Sequence, residues 1–173
     1  MGETGDNGRY FLAAWPDDAV RDRLARWADA IPARSPARRV PADNLHITLV
    51  FLGPLDPPRL NAVRAVAVAA PWSGASLKLD RIGYWKRARI VWAGSSEGSE
   101  ALSALAETLR SRLRRLGFRI ETRPFVPHVT LYRKAGRRPR WRPEVIDWRI
   151  QRFCLVRSTL SSSGSRYEIV ERW

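Results

Sequence analysis

The chain has only two histidines, and each opens the same kind of tetrapeptide: His46-Ile47-Thr48-Leu49 and His128-Val129-Thr130-Leu131. Histidine is the side chain whose ordinary pKa suits proton transfer near neutrality. On a strand, residues two apart share a face. Each motif therefore offers an imidazole and a hydroxyl on one side and sends two aliphatic side chains into a core on the other. If the two strands lie together about a pseudo-two-fold, two imidazoles and two hydroxyls share one cleft. That set suits in-line chemistry at a phosphodiester. One neutral imidazole takes a proton from an attacking water, and the other, protonated, gives one to the leaving oxygen across the phosphorus. The hydroxyls hold the non-bridging oxygens, and nearby arginines add charge. No metal is required, and two histidines without flanking carboxylates make a poor metal site. One such tetrapeptide would mean little, because threonine favours strands. Two copies that use every histidine in the chain point to catalysis.

The remaining sequence supplies elements to position these motifs. A strand is expected over residues 9–15. A helix opens at Pro16-Asp17-Asp18, with Val20, Leu24 and Trp27 inward. A loop rich in proline and arginine (Arg34, Arg38, Arg39) leads to a strand over 45–52, which carries the first motif. A second helix starts at Asp56-Pro57-Pro58, with Leu60, Val63 and Ala67 on one side. Strands follow over 76–84 and 90–93, joined by a basic, aromatic turn at 85–89. Ser99 caps a third helix whose stripe is Leu102, Leu105, Leu109, Leu113 and Leu116, and Gly117 ends it. Its arginines, Arg110, Arg112, Arg114 and Arg115, suit the helix dipole and equally suit RNA contact. A short strand over 118–121, a strand over 125–132 bearing the second motif, a basic loop at 135–143 and a closing hairpin (147–158 and 166–172, across 161–164) complete the chain. The fold class is α+β: two antiparallel sheets around a central cleft, helices outside. Residues 1–173 are expected to form a single bilobal domain.

Composition narrows the partners. Thirty-one Lys and Arg against seventeen Asp and Glu leave a net charge of +14, and 45% of residues are hydrophobic. This is a folded chain with a field that attracts polyanions, although an arginine-rich composition also arises from GC-rich coding. No apolar run is long enough to cross a bilayer, and the N-terminus lacks a signal-peptide layout, so a cytoplasmic monomer is expected. The single cysteine, Cys154, lies in an apolar strand-like run and reads as a buried, inert thiol.

The paired motifs and their context resemble the two-histidine phosphoesterase superfamily, and within it the RNA 2′,3′-cyclic phosphodiesterases historically called 2′-5′ RNA ligases. The similarity runs through residues 9–13, Asn44-Leu45-His46-Ile47-Thr48-Leu49, Phe51-Leu52-Gly53, Arg89-Ile90-Val91-Trp92, residues 123–133, Ser158-Thr159-Leu160 and Tyr167. It implies hydrolysis of a terminal RNA 2′,3′-cyclic phosphate to a 2′-phosphate, with no cofactor. It also implies His46 as proton donor, His128 as acceptor, Thr48 and Thr130 on the phosphate, and Arg133 reaching phosphate or RNA backbone. Val50 stands where members often carry a basic residue; Arg34, Arg38 or Arg39 could supply that charge. Phe11, Tyr84, Trp92 and above all Phe125 are candidates to stack on a base. The basic segment from Arg133 to Arg142 extends RNA contact or is a solvated loop. Alternatives to the hydrolase are a 2′-5′ RNA ligase, a small cyclic-nucleotide phosphodiesterase, and a non-catalytic RNA-binding module.

Overall fold

A computed structural model of the chain describes residues 8–32, 36–161 and 164–173. In chain order the elements are β1 (Arg9–Ala14), α1 (Asp18–Ala30), β2 (Arg38–Arg39), a 3-10 turn (Ala42–Asn44), β3 (Ile47–Gly53), α2 (Pro57–Val68), β4 (Ala75–Leu79), β5 (Arg81–Trp85), β6 (Ile90–Gly94), α3 (Glu100–Arg115), β7 (His128–Arg133), β8 (Ile146–Ile150), β9 (Phe153–Ser161) and β10 (Gly164–Arg172). The class is α+β, with two antiparallel sheets. The larger runs β10-β9-β1-β3-β7-β6-β5, with β2 also paired to β7; the smaller pairs β4 with β8. The expected lobes are the two halves of the larger sheet. They join at β3–β7 through one residue pair, Ile47 opposite Val129.

The helices start where local chemistry directs. Asp17 caps α1 by accepting the Val20 amide hydrogen at 2.8 Å. Asp56 does the same for Arg59 N–H in α2, and Ser99 for Leu102 N–H in α3. Leu102, Leu105, Leu109 and Leu113 are buried, while Leu116 lies past the last turn and is exposed. Gly117 adopts a left-handed φ of 78° and ends the helix there. α1 packs on β7 and β8, and α3 on β3 and α2. One core takes in both halves of the large sheet, the helices and the inward residues of the small sheet, among them Leu77, Leu79, Ile146 and Trp148.

Four expected elements differ. The strand over 76–84 is two strands in different sheets, because Asp80 leaves the ladder and accepts Ser96 N–H at 2.8 Å. The strand over 147–158 likewise divides into β8 and β9. Residues 118–121 form no strand; Phe118 and Ile120 are buried from an irregular segment under α3. The second motif's strand begins at His128 instead of residue 125. The hairpin β9–β10 forms as expected, although residues 162 and 163 of its turn, and Arg34, lie outside the described residues. Cys154 is buried, donates to Ala13 O at 3.4 Å, and burial pushes its thiol up to about 12, as an inert core thiol requires.

Candidate active site

Both motifs flank the seam where the halves of the sheet meet. Ile47, Leu49, Val129 and Leu131 are fully buried on the core side. His46, Thr48, His128 and Thr130 are partly exposed on the other. With Ile47 opposite Val129 in an antiparallel pair, the register sets His46 towards Thr130 and Thr48 towards His128. The four polar side chains thus surround a local two-fold at the middle of the sheet, and each half supplies one imidazole and one hydroxyl.

The symmetry extends to a device that strict alternation hides. Along β1–β3 the partners step from Leu12 opposite Val50 to Ala13 opposite Thr48, so Leu49 is an extra residue. Along β6–β7 they step from Val91 opposite Tyr132 to Trp92 opposite Thr130, so Leu131 is extra. Such a bulge reverses the alternation beyond it. Val50 and Tyr132 therefore turn into the core, at 1% and 7% exposure. Phe51 and Arg133, each five residues past its histidine, turn out towards the cleft. Without the bulge Arg133 would point away from His128. With it, Arg133 lies close enough for its charge to act on both histidines.

The imidazoles are oriented alike. His46 Nδ1 lies 2.8 Å from Asn44 O and His128 Nδ1 lies 2.7 Å from Val126 O. A carbonyl only accepts, so each Nδ1 carries the hydrogen and each Nε2 is left for chemistry. The surroundings differ. His46 Nε2 accepts from Thr48 Oγ1 at 3.0 Å. Its ring stacks flat on Trp15, with centroids 5.0 Å apart, and is flanked by Phe11 and Tyr167 at 4.9 and 5.4 Å. His128 meets Trp85 edge-on at 4.4 Å, with Trp92 at 6.4 Å. Among the described residues, neither His128 Nε2, Thr130 Oγ1 nor the Arg133 guanidinium has a bonding partner. Burial is the main force lowering both histidine pKa values, and Arg133 lowers them further; His46 falls to about 4.

Trp92 lies flat on β5 and β6. A Cβ at Gly83 or at Gly94 would fall inside its indole, so both glycines make room for the ring that backs His128. Beside His46, a groove of about 480 Å³ runs past Phe11, Phe51, Ser158, Leu160 and Tyr167 to Arg9. Phe51 and Leu160 are 65% and 77% exposed, unusual for large apolar side chains.

The sequence-predicted residues separate clearly. The structure brings together His46, Thr48, His128, Thr130 and Arg133. Phe11 and Trp92 also reach the histidines. Phe125 does not: it packs on the main core beneath the Arg110 guanidinium, 5.3 Å from its centroid, with no ring contact to either histidine. The strand begins only at His128, so Phe125 leaves before the cleft is reached. Tyr84 spends its hydroxyl on Ala135 O at 3.0 Å. Val50, buried in the core, leaves no charge to replace in the cleft; Arg39 is held by Asp29 at 2.8 Å and by Ala25 O at 3.2 Å. On α3, Arg110 and Arg112 bond main-chain carbonyls and Arg114 pairs with Glu107, which favours their structural reading. Sequence reasoning does not mark Trp15, Trp85 or Tyr167 as partners of the histidines; the recurrence of aromatics at strand ends is the signal it offers. Among the described residues no three His, Cys, Asp or Glu side chains come together, and no helix is long and apolar enough to cross a membrane.

Comparison with known proteins gives the family and the fold. The model of the 2′-5′ RNA ligase superfamily matches residues 16–160. The RNA 2′,3′-cyclic phosphodiesterase of Escherichia coli (strain K12) is 34% identical over 167 residues, covering 95% of each chain. A crystal structure described as a phosphoesterase superposes with a TM-score of 0.91 at 32% identity, over 97% of this chain and 98% of that one. The crystal structure of E. coli LigT in apo form gives 0.88 at 33% identity, with the same coverage.

Proposed function

The chain belongs to the 2′-5′ RNA ligase superfamily, and from that premise we propose that it hydrolyses the 2′,3′-cyclic phosphate at an RNA end to a 2′-phosphate by two-histidine acid–base catalysis. One observation carries the reading. Two His-x-Thr motifs meet at a seam with both Nδ1 atoms held by carbonyls, which leaves Nε2 as the working atom of each ring, open on His128 and bonded to Thr48 Oγ1 on His46.

The division of labour follows from the unequal halves. The aromatic groove past Phe11, Phe51 and Tyr167 suits the terminal nucleoside, while free Thr130 and Arg133 suit the phosphate oxygens. With the nucleoside on that side, the ribose 3′-oxygen lies towards His46 and water approaches from His128. His128 Nε2 takes the water proton as the oxygen attacks phosphorus. The bond from phosphorus to the 3′-oxygen breaks, and His46 Nε2–H gives that oxygen its proton. A free His46 with a pKa near 4 is neutral at pH 7. The phosphodiester anion opposes the push from Arg133, so proton uptake by His46 accompanies substrate binding. The groups named need no metal or cofactor. We read residues 1–173 as one bilobal catalytic domain, monomeric and cytoplasmic.

The test is turnover of an RNA ending in a 2′,3′-cyclic phosphate, in chelator, with the product isomer identified. A 2′-phosphate is expected. A 3′-phosphate would reverse the leaving group. A 2′-5′ joined product would move the reading to ligation. Activity that only a divalent metal restores would overturn the mechanism.

A further inference from the structure

Beyond the cleft, the chain carries a concentration of positive charge that the mechanism leaves unused. Residues 134–142 hold Lys134, Arg137, Arg138, Arg140 and Arg142, and no acid. Elsewhere Arg115, Arg119, Arg149, Arg152 and Arg166 are exposed but scattered along the sequence, and Arg110, Arg112 and Arg39 are spent inside the protein, on Leu49 O, Ala69 O and Asp29. Here they are neither scattered nor spent. Arg137, Arg138, Arg140 and Arg142 are exposed, and among the described residues none bonds a carboxylate or carbonyl. They line an open cavity of about 1440 Å³, floored by Ile31, Ala37 and Trp141. Like charges crowded this way repel, and a polyanion relieves that repulsion.

The segment is also built. Ala135 is buried and its N–H donates to Arg89 O at 2.9 Å. Arg89 returns a bond from Nη2 to Lys134 O at 3.1 Å, and Tyr84 Oη–H donates to Ala135 O at 3.0 Å. Arg89 and Lys134, at φ of 55° and 58°, are the non-glycine residues in the left-handed region among those described. Two strained residues thus clamp the root of the segment against the 85–89 turn, where Lys86 and Arg87 are exposed. Strain of this kind persists where the surroundings enforce it, commonly at ligand clamps. The far end is held too, by Trp141 set edge-on against Trp27 at 5.8 Å. In sequence the root adjoins the site, Lys134 following Arg133 directly; the cavity is also lined by Val91 and Tyr132 from the core side of the sheet, so a strand reaching it from the cleft passes round the end of β7.

We propose that residues 134–142, with Lys86 and Arg87, form a phosphate-tracking exosite for the RNA strand that leads into the cleft. The inference rests on the reading of the cleft as a site for RNA ends. The strand leaves the cleft over Arg133 and lays its backbone along the arginine-lined cavity. Contacts there are to phosphates, so they favour long substrates without reading sequence.

The experiment compares wild type with Arg137→Gln/Arg138→Gln/Arg140→Gln/Arg142→Gln on two substrates, a mononucleoside 2′,3′-cyclic phosphate and a long single-stranded RNA with the same end. Affinity for the long RNA ending in the product 2′-phosphate is measured as well, across a salt series. The variant is expected to keep wild-type kcat and KM on the mononucleotide. On long RNA its KM and Kd should rise about tenfold or more, and the salt slope should shrink by about 0.7 for each phosphate no longer neutralised. Replacing the same four arginines with lysine should restore most of the affinity, since charge and not the fork geometry is used. Unchanged long-RNA Kd and salt slope in the glutamine variant would overturn the exosite. Equal losses on both substrates would also overturn it, by assigning these arginines to the cleft. Arginine-dependent binding to anionic phospholipid vesicles with unchanged RNA affinity would give the surface to a membrane instead. Failure of the wild type to open either cyclic phosphate would refute the catalytic reading, while the binding series would still decide the exosite.

Discussion

The two halves of the active site share a backbone and differ in nearly everything attached to it. Each half has a histidine whose Nδ1 is held by the carbonyl two residues earlier, a threonine two residues on, and a bulge at the following leucine. Around His46 the space is filled: Thr48 bonds Nε2, and Trp15, Phe11 and Tyr167 surround the ring. Around His128 the polar groups stand open, with Thr130 and Arg133 unbonded among the described residues. The position five residues past the histidine states the contrast most directly, Phe51 in one half and Arg133 in the other. A symmetric frame fixes where the two imidazoles sit. In the proposed function the unequal side chains set the nucleoside on one side and the phosphate charge on the other.

The largest test treats the halves as equal partners. His46→Ala and His128→Ala should each lower kcat on a cyclic-phosphate RNA by roughly 10²–10⁴-fold. The double variant should be little worse than either single one, because the acid and the base act in one step. A single variant that retained wild-type turnover would leave one histidine without a role and end the two-histidine mechanism.

A smaller effect separates the hydroxyls. Thr130→Val removes a free donor to an anionic oxygen, worth about 1.5–3 kcal/mol, so kcat/KM should drop by about ten- to a hundredfold. Thr48→Val removes the hydroxyl that stabilises neutral His46, so its signature is a raised His46 pKa, read by NMR titration. Identical pH profiles in the two variants would erase the distinction between the halves. On the His128 side, Gly83→Ala drives a methyl group into Trp92 and should cost about 1–3 kcal/mol of stability. A Tm within error of wild type would show that Trp92 has room to move.

The sequence makes the halves visible as repeats but not as a contrast. His46, Thr48, His128 and Thr130 are legible because strand alternation is local and both histidines repeat it. The three helices are legible from capping residues and apolar spacing, with Asp56 and Ser99 seated where the helices start and Asp17, expected in the first turn, capping α1 from just before it. The bulges are not, since an extra residue is defined by the partner strand, and that is a long-range fact. Hence Arg133's place in the cleft follows in sequence only from resemblance, and Val50 looks like a missing charge when it is a core residue. Asp80 reads as part of one long strand for the same reason: only its bond to Ser96 shows the break. Phe125 misleads because proximity in sequence to His128 stands in for proximity in space. Trp15 and Tyr167 come from segments remote in sequence, and nothing local marks them as neighbours of His46.

The smallest effect gives the sharpest view of the contrast, because it reads the enclosure of His46 directly. Burial holds its pKa near 4, below the ordinary value of about 6.5 expected in the unfolded chain. Between those values the unfolded state binds the extra proton, so stability rises with pH across this window. His46 contributes its full share above about pH 6.5 and loses it as pH falls towards 4. Trp15→Ala opens one face of the imidazole to water and should raise its pKa. The variant loses packing at every pH, yet its Tm should decline less steeply than wild type's between pH 6.5 and 4. Trp85→Ala should leave that slope closer to wild type, because its ring covers His128, whose pKa is lowered too but without His46's three-ring enclosure. The same reasoning reaches catalysis. If substrate binding returns the proton to His46, the high-pH limb of kcat should lie above that of kcat/KM, and Trp15→Ala should narrow the gap by raising the free-enzyme value. Coincident limbs in the wild type would mean that His46 does not gain its proton with the substrate, and His128 would then be the group to examine as the acid.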